Sequence, residues 1–362
     1  MAETIISAAN RVKQWDNKAH WEYIRSNRFK KYMGNSQNSI IMLDENLTKK
    51  KGDSITLPLL GALDKSGGYN DGSTDLVGNE KALPNDGHAI PIGVVRDATV
   101  VNIEEEQASP IDIRNAGKTA LKDLQMQYLR DDLINAFSSV GGVNYSDATA
   151  GDKNTWTDAN SDRVLFGADV ANYVPGDHAA SLLNIDATND KLNKEMVSKM
   201  KRIAQSAVMT SGNGIRPYRF GEDEETFVLF AGVKAYRDLK LNLAGEHAEA
   251  EKRGKTNPLF TGTTSLYWDG VVIREIPEIP DLGAVGAAGA NVAPLFFCGT
   301  QALGVAWAQR TKTTLRKEDD YGFKQGVAFT ELRGVSKLLW GQDASAKQWG
   351  MVSGFCAAEA DA

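Results

Sequence analysis

Cysteine is nearly absent from this sequence. Cys298 and Cys356 are the only two in 362 residues, too few for the disulfide framework of a small secreted domain. Cys298 ends the apolar run 295–298, which predicts a buried free thiol in a reducing compartment. The sequence also lacks a run of about 18 apolar residues that could span a membrane, and residues 1–5 lack the basic start of a signal peptide. We therefore expect a cytoplasmic chain with no membrane partner.

A basic excess is lacking as well. The chain has 47 acidic and 41 basic residues and a formal net charge of −6, whereas proteins that grip nucleic acid through its phosphates carry surplus Lys and Arg. We expect a protein that does not condense nucleic acid. A length of 362 residues favours two domains, or one domain with large excursions, and the local clustering of the 34 glycines predicts long surface loops.

Sequence patterns for catalysis are scarce. The Gly-Lys-Thr at 117–119 matches the end of a phosphate-binding loop, but the position that needs a glycine is Asp112, whose charge would repel a phosphate. The Gly-Asn-Gly at 212–214 lacks the third glycine of a dinucleotide site, and no Gly-x-Ser-x-Gly motif of a serine hydrolase is present. We predict no catalytic residue and no cofactor-binding residue.

Metal-binding patterns are not found either. The four histidines stand at positions 20, 88, 178 and 247, with no two within five residues and none beside a cysteine, so no zinc or iron spacing arises. The acidic runs 104–106 and 222–225 could hold a divalent ion, but runs of like charge are more typical of solvated surfaces. We predict no metal site and no cofactor.

The N-terminal segment is basic in an acidic protein. Residues 1–33 hold seven basic and three acidic side chains, a local balance of +4. Val12, Trp15 and Ala19 recur at helical spacing, and Trp21 follows. Two tryptophans in an arm favour docking on a partner surface, because unanchored termini are usually poorly ordered. A helix packed on the core of its own chain is an equally weighted alternative.

A glycine-rich loop separates two predicted strand regions, 52–60 and 89–103. Pro58 and Pro91 make these strands edge-like, because each removes a ladder donor. Between them, residues 61–88 contain six Gly, three Asn and four Asp, and loops of such length are usually functional or disordered. We predict that 52–103 is a long two-stranded arm that leaves the body. Since an isolated hairpin is marginal in water, neighbouring subunits would support it.

Two helices are predicted after this arm. An apolar stripe at spacings of three and four predicts a long helix over 113–138, stopped by the glycines at 141–142. A second stripe predicts a helix over 189–210. Residues 142–187 between them are rich in Asp, Asn and Ala, and we expect them to be irregular.

The sequence after residue 226 is strand-rich. Residues 227–230 predict a buried strand, followed by a helix that ends at Leu243. Asp269 and Gly270 between two apolar runs predict a hairpin with a type I′ turn. The remaining predictions are a Gly/Ala loop over 283–290, a buried strand over 295–298, a short helix over 300–309, and strands over 323–333 and 335–340 separated at Gly334. Helices and strands without regular βαβ alternation predict an α+β fold.

This order of elements resembles the Hong Kong 97-like fold of tailed double-stranded DNA phage capsid proteins. A basic arm and a glycine-rich two-stranded loop come first, then a long helix, a compact α/β region and a return strand. Several short sequence segments are similar to those of the major capsid protein family of N-four-type phages. The matching segments are 51–58, 163–167, 258–262 with 267–275, 299–303, and 320–327 with 334–337.

The resemblance implies a structural, non-enzymatic subunit of a virion. Such subunits self-assemble as pentamers and hexamers into an icosahedral head, which encloses double-stranded DNA without binding it specifically. Assembly would take place in the cytoplasm of a host bacterium, with scaffold, portal and decoration proteins as further partners. The implied divisions are the N-terminal arm (1–35), the extended loop or β-hairpin arm (45–105), the peripheral domain with its spine helix (106–215), the axial domain (216–295) and the return to the peripheral domain (296–362).

Candidate inter-subunit contacts lie in the arm and the loop. They are Trp15, Trp21, Arg25, Arg28, Lys65, Tyr69, Lys81 and His88. Two other functions stay open. One is a cellular nanocompartment shell of the same fold, which would hold protein cargo and no genome. The other is a metal- or phosphate-dependent enzyme with its site around 104–106 or 222–225, which metal analysis would reveal.

Overall fold

The fold comes from a computed structural model. The structure describes residues 27–45, 53–63, 75–102, 113–207, 214–220, 224–245, 265–316, 323–341 and 346–361, together with positions 104 and 107. Helices and strands are mixed along these ranges, which confirms the predicted α+β class. In the same ranges no helix combines the length and the apolar character that a membrane span requires.

Seventeen strands and five α-helices are present in this part of the chain. The strands are β1 (Met33–Gly34), β2 (Ile41–Asp44), β3 (Ser54–Leu60), β4 (Asn85–Pro91), β5 (Gly93–Asn102), β6 (Val164–Phe166), β7 (Tyr218–Phe220), β8 (Glu224–Ala231), β9 (Ser265–Trp268), β10 (Val271–Glu275), β11 (Gly283–Ala284), β12 (Asn291–Cys298), β13 (Leu303–Arg316), β14 (Lys324–Lys337), β15 (Leu339–Trp340), β16 (Lys347–Gln348) and β17 (Met351–Ala357). The helices are α1 (Ile113–Ser138), α2 (Ala150–Ala159), α3 (His178–Leu183), α4 (Lys194–Ser206) and α5 (Val233–Asn242).

The larger sheet has eight strands. Its order is β6-β17-β12-β8-β10-β9, with β11 added to β12 and β7 added to β8. Side chains of β8 alternate between two apolar clusters: Phe227 and Leu229 pack with α4 and α5, whereas Val228 and Phe230 pack with α1. The ring centroid of Phe230 lies 5.6 Å from that of Phe137 in α1. This sheet is therefore covered on both faces by helices of its own chain.

The smaller sheet has the order β1-β2-β13-β14-β5. Its long central strands β13 and β14 are antiparallel, and β5 pairs with β14 over its whole length. Helix α1 lies on one face, where Leu121 packs with Val327 and Phe329. Further along α1, Leu129 and Leu133 join the cluster that contains Phe230. The long helix thus connects the two sheets.

Several sequence predictions are confirmed at the level of single elements. Helix α1 has the predicted bounds. The β9–β10 hairpin turns at Asp269 and Gly270, whose φ values of 48° and 74° are those of a type I′ turn. Both cysteines are buried and free, and burial raises the pKa of each thiol.

The short helix predicted over 300–309 is wrong, because this segment begins the long strand β13. Leu303, Val305 and Trp307 face the α1 side, while Ala306 faces the β3–β4 hairpin. A strand that is buried on both faces shows no apolar–polar alternation, so its period of two is hidden in the sequence. Gly334 is also no boundary, because β14 runs through it without a break.

Residues 142–187 are not irregular, contrary to prediction. They contain α2, β6 and α3. Helix α2 has little apolar character, but Thr149 and Asp152 form a reciprocal capping box at its start, and such caps define a helix end without an apolar stripe. The strand β17 was not predicted, although it pairs with both β12 and β6 inside the larger sheet.

Candidate assembly surface

The β3–β4 hairpin is attached to the body along its paired strands. Ile55, Leu57 and Leu59 of β3 are buried, with exposed residues between them. Together with Ile90 of β4 they pack in a cluster that includes Trp349. The prediction that the whole of 52–103 leaves the body is therefore wrong, since the paired part lies on the body and β5 belongs to the five-stranded sheet.

Two glycines of the five-stranded sheet allow this close attachment. A Cβ atom at Gly304 would lie 2.5 Å from Ile90 Cδ1, and one at Gly334 would overlap the carbonyl oxygen of Pro91. Further along the same hairpin strand, β4, Asp86 Oδ2 accepts a hydrogen bond from the backbone N–H of Gly341 at 2.6 Å. The hairpin base is thus fixed by shape as well as by hydrogen bonding.

The loop beyond the hairpin base presents apolar side chains to solvent. Five of the fourteen exposed large hydrophobic side chains in the described ranges lie between residues 60 and 83. Val77 has 79% of its surface exposed and Leu76 has 63%. Clustered apolar exposure of this kind marks an interaction surface, so the loop has the character of a segment that is covered in an assembly.

The five-stranded sheet has one face only partly covered by its own chain. Helix α1 covers the first face, and the hairpin covers one end of the second through contacts near Gly304 and Gly334. No described residue packs over the rest of the second face, and we call this part the open sheet face. Its residues, identified by strand alternation and register, are Val94, Arg96, Ala98, Val100 and Asn102 of β5, Lys324, Gly326, Ala328, Thr330 and Leu332 of β14, and Lys312, Thr314 and Arg316 of β13.

The open sheet face combines apolar and basic groups. Val94 is 63% exposed and Val100 is 47% exposed. Thr330 lies in register between Arg96 and Lys312, which places two cations in one row across the strands. The residues that define this face include no Asp or Glu. Asp97 of β5 lies on the opposite face, where its carboxylate accepts a hydrogen bond from Tyr128 of α1 at 3.0 Å.

The structure places three of the eight candidate contact residues and does not bring them together. Arg28 Nε lies 3.3 Å from Glu278 Oε1, and Lys81 is exposed in the loop. His88 Nε2 lies 2.8 Å from Ser336 Oγ, and partial burial lowers the pKa of this histidine. The other five candidates, which are Trp15, Trp21, Arg25, Lys65 and Tyr69, lie outside the described residues.

The open sheet face itself was not found by sequence reasoning. The sequence of 94–101 is Val-Val-Arg-Asp-Ala-Thr-Val-Val, in which apolar residues come in pairs and do not alternate. Such a pattern does not tell which residues face the helix. In the described ranges no group of three or more His, Cys, Asp or Glu side chains could hold a metal ion, and part of each acidic run at 104–106 and 222–225 lies outside those ranges.

Comparison with known proteins gives a consistent assignment. The sequence model of a family described as phage capsid protein matches residues 4–357. The capsid subunit of cyanophage Pam1 is similar over 100% of both chains, with 34% identity and a TM-score of 0.80. The capsid of Ralstonia phage GP4 is similar over 93% of this chain and 92% of that chain, with 21% identity and a TM-score of 0.72. The head protein of Helicobacter pylori bacteriophage KHP40 has 11% identity over 92% and 91% of the two chains and a TM-score of 0.63. No curated protein sequence matches this chain.

Proposed function

Because the chain belongs to the phage capsid protein family and has the Hong Kong 97-like fold, it is a structural subunit of a viral shell, and we propose that this shell is an icosahedral head built from pentamers and hexamers. We further propose that the head encloses double-stranded DNA without gripping it. The formal charge of −6 supports this, because tight DNA binding requires surplus cations. Assembly in the cytoplasm of the host, and scaffold, portal and decoration proteins as partners, belong to the same proposal.

One observation supports self-assembly most directly. An apolar loop around Leu76 and Val77 and the open sheet face are both left uncovered by the residues that the structure describes. A monomer would leave both in water, whereas assembly buries apolar surface at about 25 cal/mol per Å². We propose that the loop of one subunit lies on the open sheet face of the next.

Charge distribution favours the same pairing. Asp75, Glu80 and Lys81 are the charged residues in the described part of the loop, which leaves a local balance of −1, and Arg96, Lys312 and Lys324 lie on the open sheet face. Opposite charges across an interface steer association and fix its register. The basic arm at 1–33 would meet like charges on this face, so the loop is the better occupant.

The implied domains are retained as part of the proposal. The axial domain would be built on the eight-stranded sheet, which also takes β6 and β17 from outside 216–295. The peripheral domain would be built on α1 and the five-stranded sheet. The extended loop would leave the body beyond Leu60 and Asn85, where the β3–β4 pairing ends.

Loop replacement tests the proposal. The backbone N–H of Gly61 donates to Pro84 O at 2.9 Å, so the ends of the loop are close and residues 63–82 can be replaced by Gly-Asn-Gly. We expect a folded, soluble subunit that forms no stable shells in negative-stain electron microscopy and light scattering. Shells of wild-type yield and stability would contradict the role of the loop.

Charge reversal tests the pairing. Arg96→Glu combined with Lys312→Glu should prevent shell formation, and adding Asp75→Lys and Glu80→Lys should restore it. Lys240→Glu, on the exposed side of α5, is the control. Failure of the reversal to impair assembly would refute this pairing while leaving the shell function intact.

The nanocompartment alternative is less supported, because the family match is to phage capsid proteins. The nucleic-acid content of purified particles distinguishes a phage head from a nanocompartment. Particles from infected cells should contain double-stranded DNA, whereas a nanocompartment would contain cargo protein and no genome.

A further inference from the structure

Strand β14 carries three charged residues that are almost completely buried. Glu331 is 0% exposed, Lys337 is 2% exposed and Arg333 is 3% exposed. Burying a charge is unfavourable unless a partner compensates it. Because the three positions are separated by even numbers of residues, their side chains point to the same face of the sheet, which is the face covered by α1.

Each of these residues contacts α1 or the residue that follows it. Gln125 Nε2 donates to Glu331 Oε2 at 2.8 Å. Arg333 NH2 donates to Asp132 Oδ2 at 2.6 Å. Lys337 Nζ donates to the carbonyl oxygen of Ser139 at 2.7 Å.

The helix positions of the three contacts are 125, 132 and 139, so they are seven residues apart. Seven residues make about two turns of an α-helix and return to the same side of it. The three contacts therefore form a row in which α1 and β14 run side by side. We call this row the polar ladder, with its rungs at Glu331, Arg333 and Lys337.

Further bonds brace the ladder. Thr311 of β13 donates to Glu331 Oε2 at 3.0 Å, and Gln125 also donates to the Thr311 hydroxyl at 2.6 Å. Arg333 Nε lies 2.8 Å from Glu331 Oε1, an ion pair whose geometry is not that of a hydrogen bond. At the last rung, Nζ of Lys337 lies at the carbonyl end of α1, where the helix dipole favours a cation, while burial lowers the pKa of this side chain to about 7.

The beginning of α1 lies outside the ladder. Leu121 is the first residue of α1 with a buried side chain among the side chains that the structure describes, which begin at position 116. Gly117 lies in this first part, where a Cβ would come 3.3 Å from Thr99 Cγ2 of β5. A glycine inside a helix lowers the stability of the helix relative to alanine.

We propose that the polar ladder fixes the register of α1 on β14, so that residues 121–139 and β14 move as one rigid body, while residues 113–120 form the part of the helix that bends. Apolar contacts alone would let the helix slide, because the hydrophobic effect has no direction. The directed bonds of the three rungs prevent that movement. Buried polar pairs that select one register are known to serve such a role.

Native-state hydrogen exchange of the purified subunit tests the proposal. Among the amides that are hydrogen-bonded within the helix, which begin at 117, we expect those of 117–120 to exchange about 100-fold faster than those of 121–138, since local opening exposes only the first segment. Fraying at both ends would lower the protection of 117–120 and of 134–138, so strong protection of 134–138 alone is the specific result. Equal exchange in 117–120 and 134–138 would overturn the proposal.

Two variants distinguish a local effect of the polar ladder on α1 from a change in the stability of the whole subunit. Lys337→Met should raise exchange at 134–138 about tenfold, and Gln125→Leu should raise it near 121–129, with the eight-stranded sheet unchanged. Asp123→Asn, on the exposed side of α1, is the control. If one variant fails to fold, the other still decides, and unchanged local exchange in a folded variant would refute the ladder.

Discussion

The two sheets of this protein differ in what covers them. The eight-stranded sheet is enclosed by helices of its own chain, and its β8 strand is buried on both faces. The five-stranded sheet has α1 on one face and leaves much of the other open, with Val94 and Val100 in solvent. Among the described residues, the first sheet is packed on both faces, whereas the second is packed fully on one face only. Substitutions in the two sheets should therefore act on different properties, the first on subunit stability and the second on assembly.

The largest expected effect on the subunit is in the enclosed sheet. Phe230 is fully buried and its ring contacts those of Phe29, Tyr32 and Phe137. Phe230→Ala should lower the free energy of unfolding by about 3–5 kcal/mol, because a cavity replaces the ring. Urea denaturation measures this. A loss below about 1 kcal/mol would show that the core of the enclosed sheet collapses around the cavity.

A pH effect of about 3 kcal/mol is expected at the edge of the same sheet. His178 is 2% exposed, and burial, followed by the nearby Lys153, lowers its pKa from 6.5 to about 4. Both ring nitrogens are engaged, at 2.8 Å from the hydroxyls of Tyr145 and Thr157. Between pH 6.5 and pH 4 the unfolded state therefore binds more protons than the folded state, and stability falls as the pH is lowered through this window.

Comparison with His178→Gln isolates this contribution. The difference in unfolding free energy between pH 7 and pH 4 should be about 3 kcal/mol larger in the wild type than in the variant. Urea denaturation at the two pH values provides the measurement. An equal pH dependence in both proteins would mean that His178 is protonated without cost in the folded state.

An effect of about 1–3 kcal/mol is expected where the hairpin meets the five-stranded sheet. Gly334→Ala would force the hairpin base away from the sheet, because the added methyl group overlaps Pro91 O. Gly93→Ala is the matched control, since Gly93 lies on the neighbouring strand and the nearest atom to its Cβ would be 3.9 Å away. The melting temperatures of the Gly334→Ala and Gly93→Ala variants are compared by thermal unfolding. Equal melting temperatures would contradict the close attachment of the hairpin to the sheet.

The smallest effect on the subunit, and a large one on assembly, is expected on the open sheet face. Val94→Ser should change the free energy of unfolding by less than about 0.5 kcal/mol and should slow shell formation in light scattering at least about tenfold. Val170→Ser is the control, because Val170 is similarly exposed, at 60%, but lies away from this face. Equal assembly rates in the two variants would remove the open sheet face from the interface.

Local signals in the sequence predicted much of the fold. The apolar stripe of α1 predicted the bounds of this helix, and the Asp269-Gly270 pair predicted the β9–β10 hairpin. The glycine-rich segment predicted the loop between β3 and β4. These predictions succeeded because periodicity and turn chemistry act between residues close in the chain. The order of elements resembled a capsid fold, and the family match over residues 4–357 confirms the capsid family. Its finer assignment to N-four-type phages stays a prediction.

Predictions failed where burial came from distant parts of the chain. The start of β13 is buried on one side by α1 and on the other by the hairpin, so its apolar run has no readable period. Helix α2 depends on its capping box, and β17 on partners far away in sequence. The open sheet face and the polar ladder were not predicted for the same reason, since each requires knowing which residues of β5, β13 and β14 share a face.

By itself, the sequence determined the α+β class, the long helix, the glycine-rich loop and the absence of a recognisable catalytic motif, because these depend on composition and on local spacing. Only the tertiary structure decided which surfaces are enclosed and which are left for a neighbour. Whether Val94 and Leu303 face solvent or a core depends on strand register and on what packs above each sheet. The sequence of a single strand does not contain this information, because it is set by residues far away in the chain.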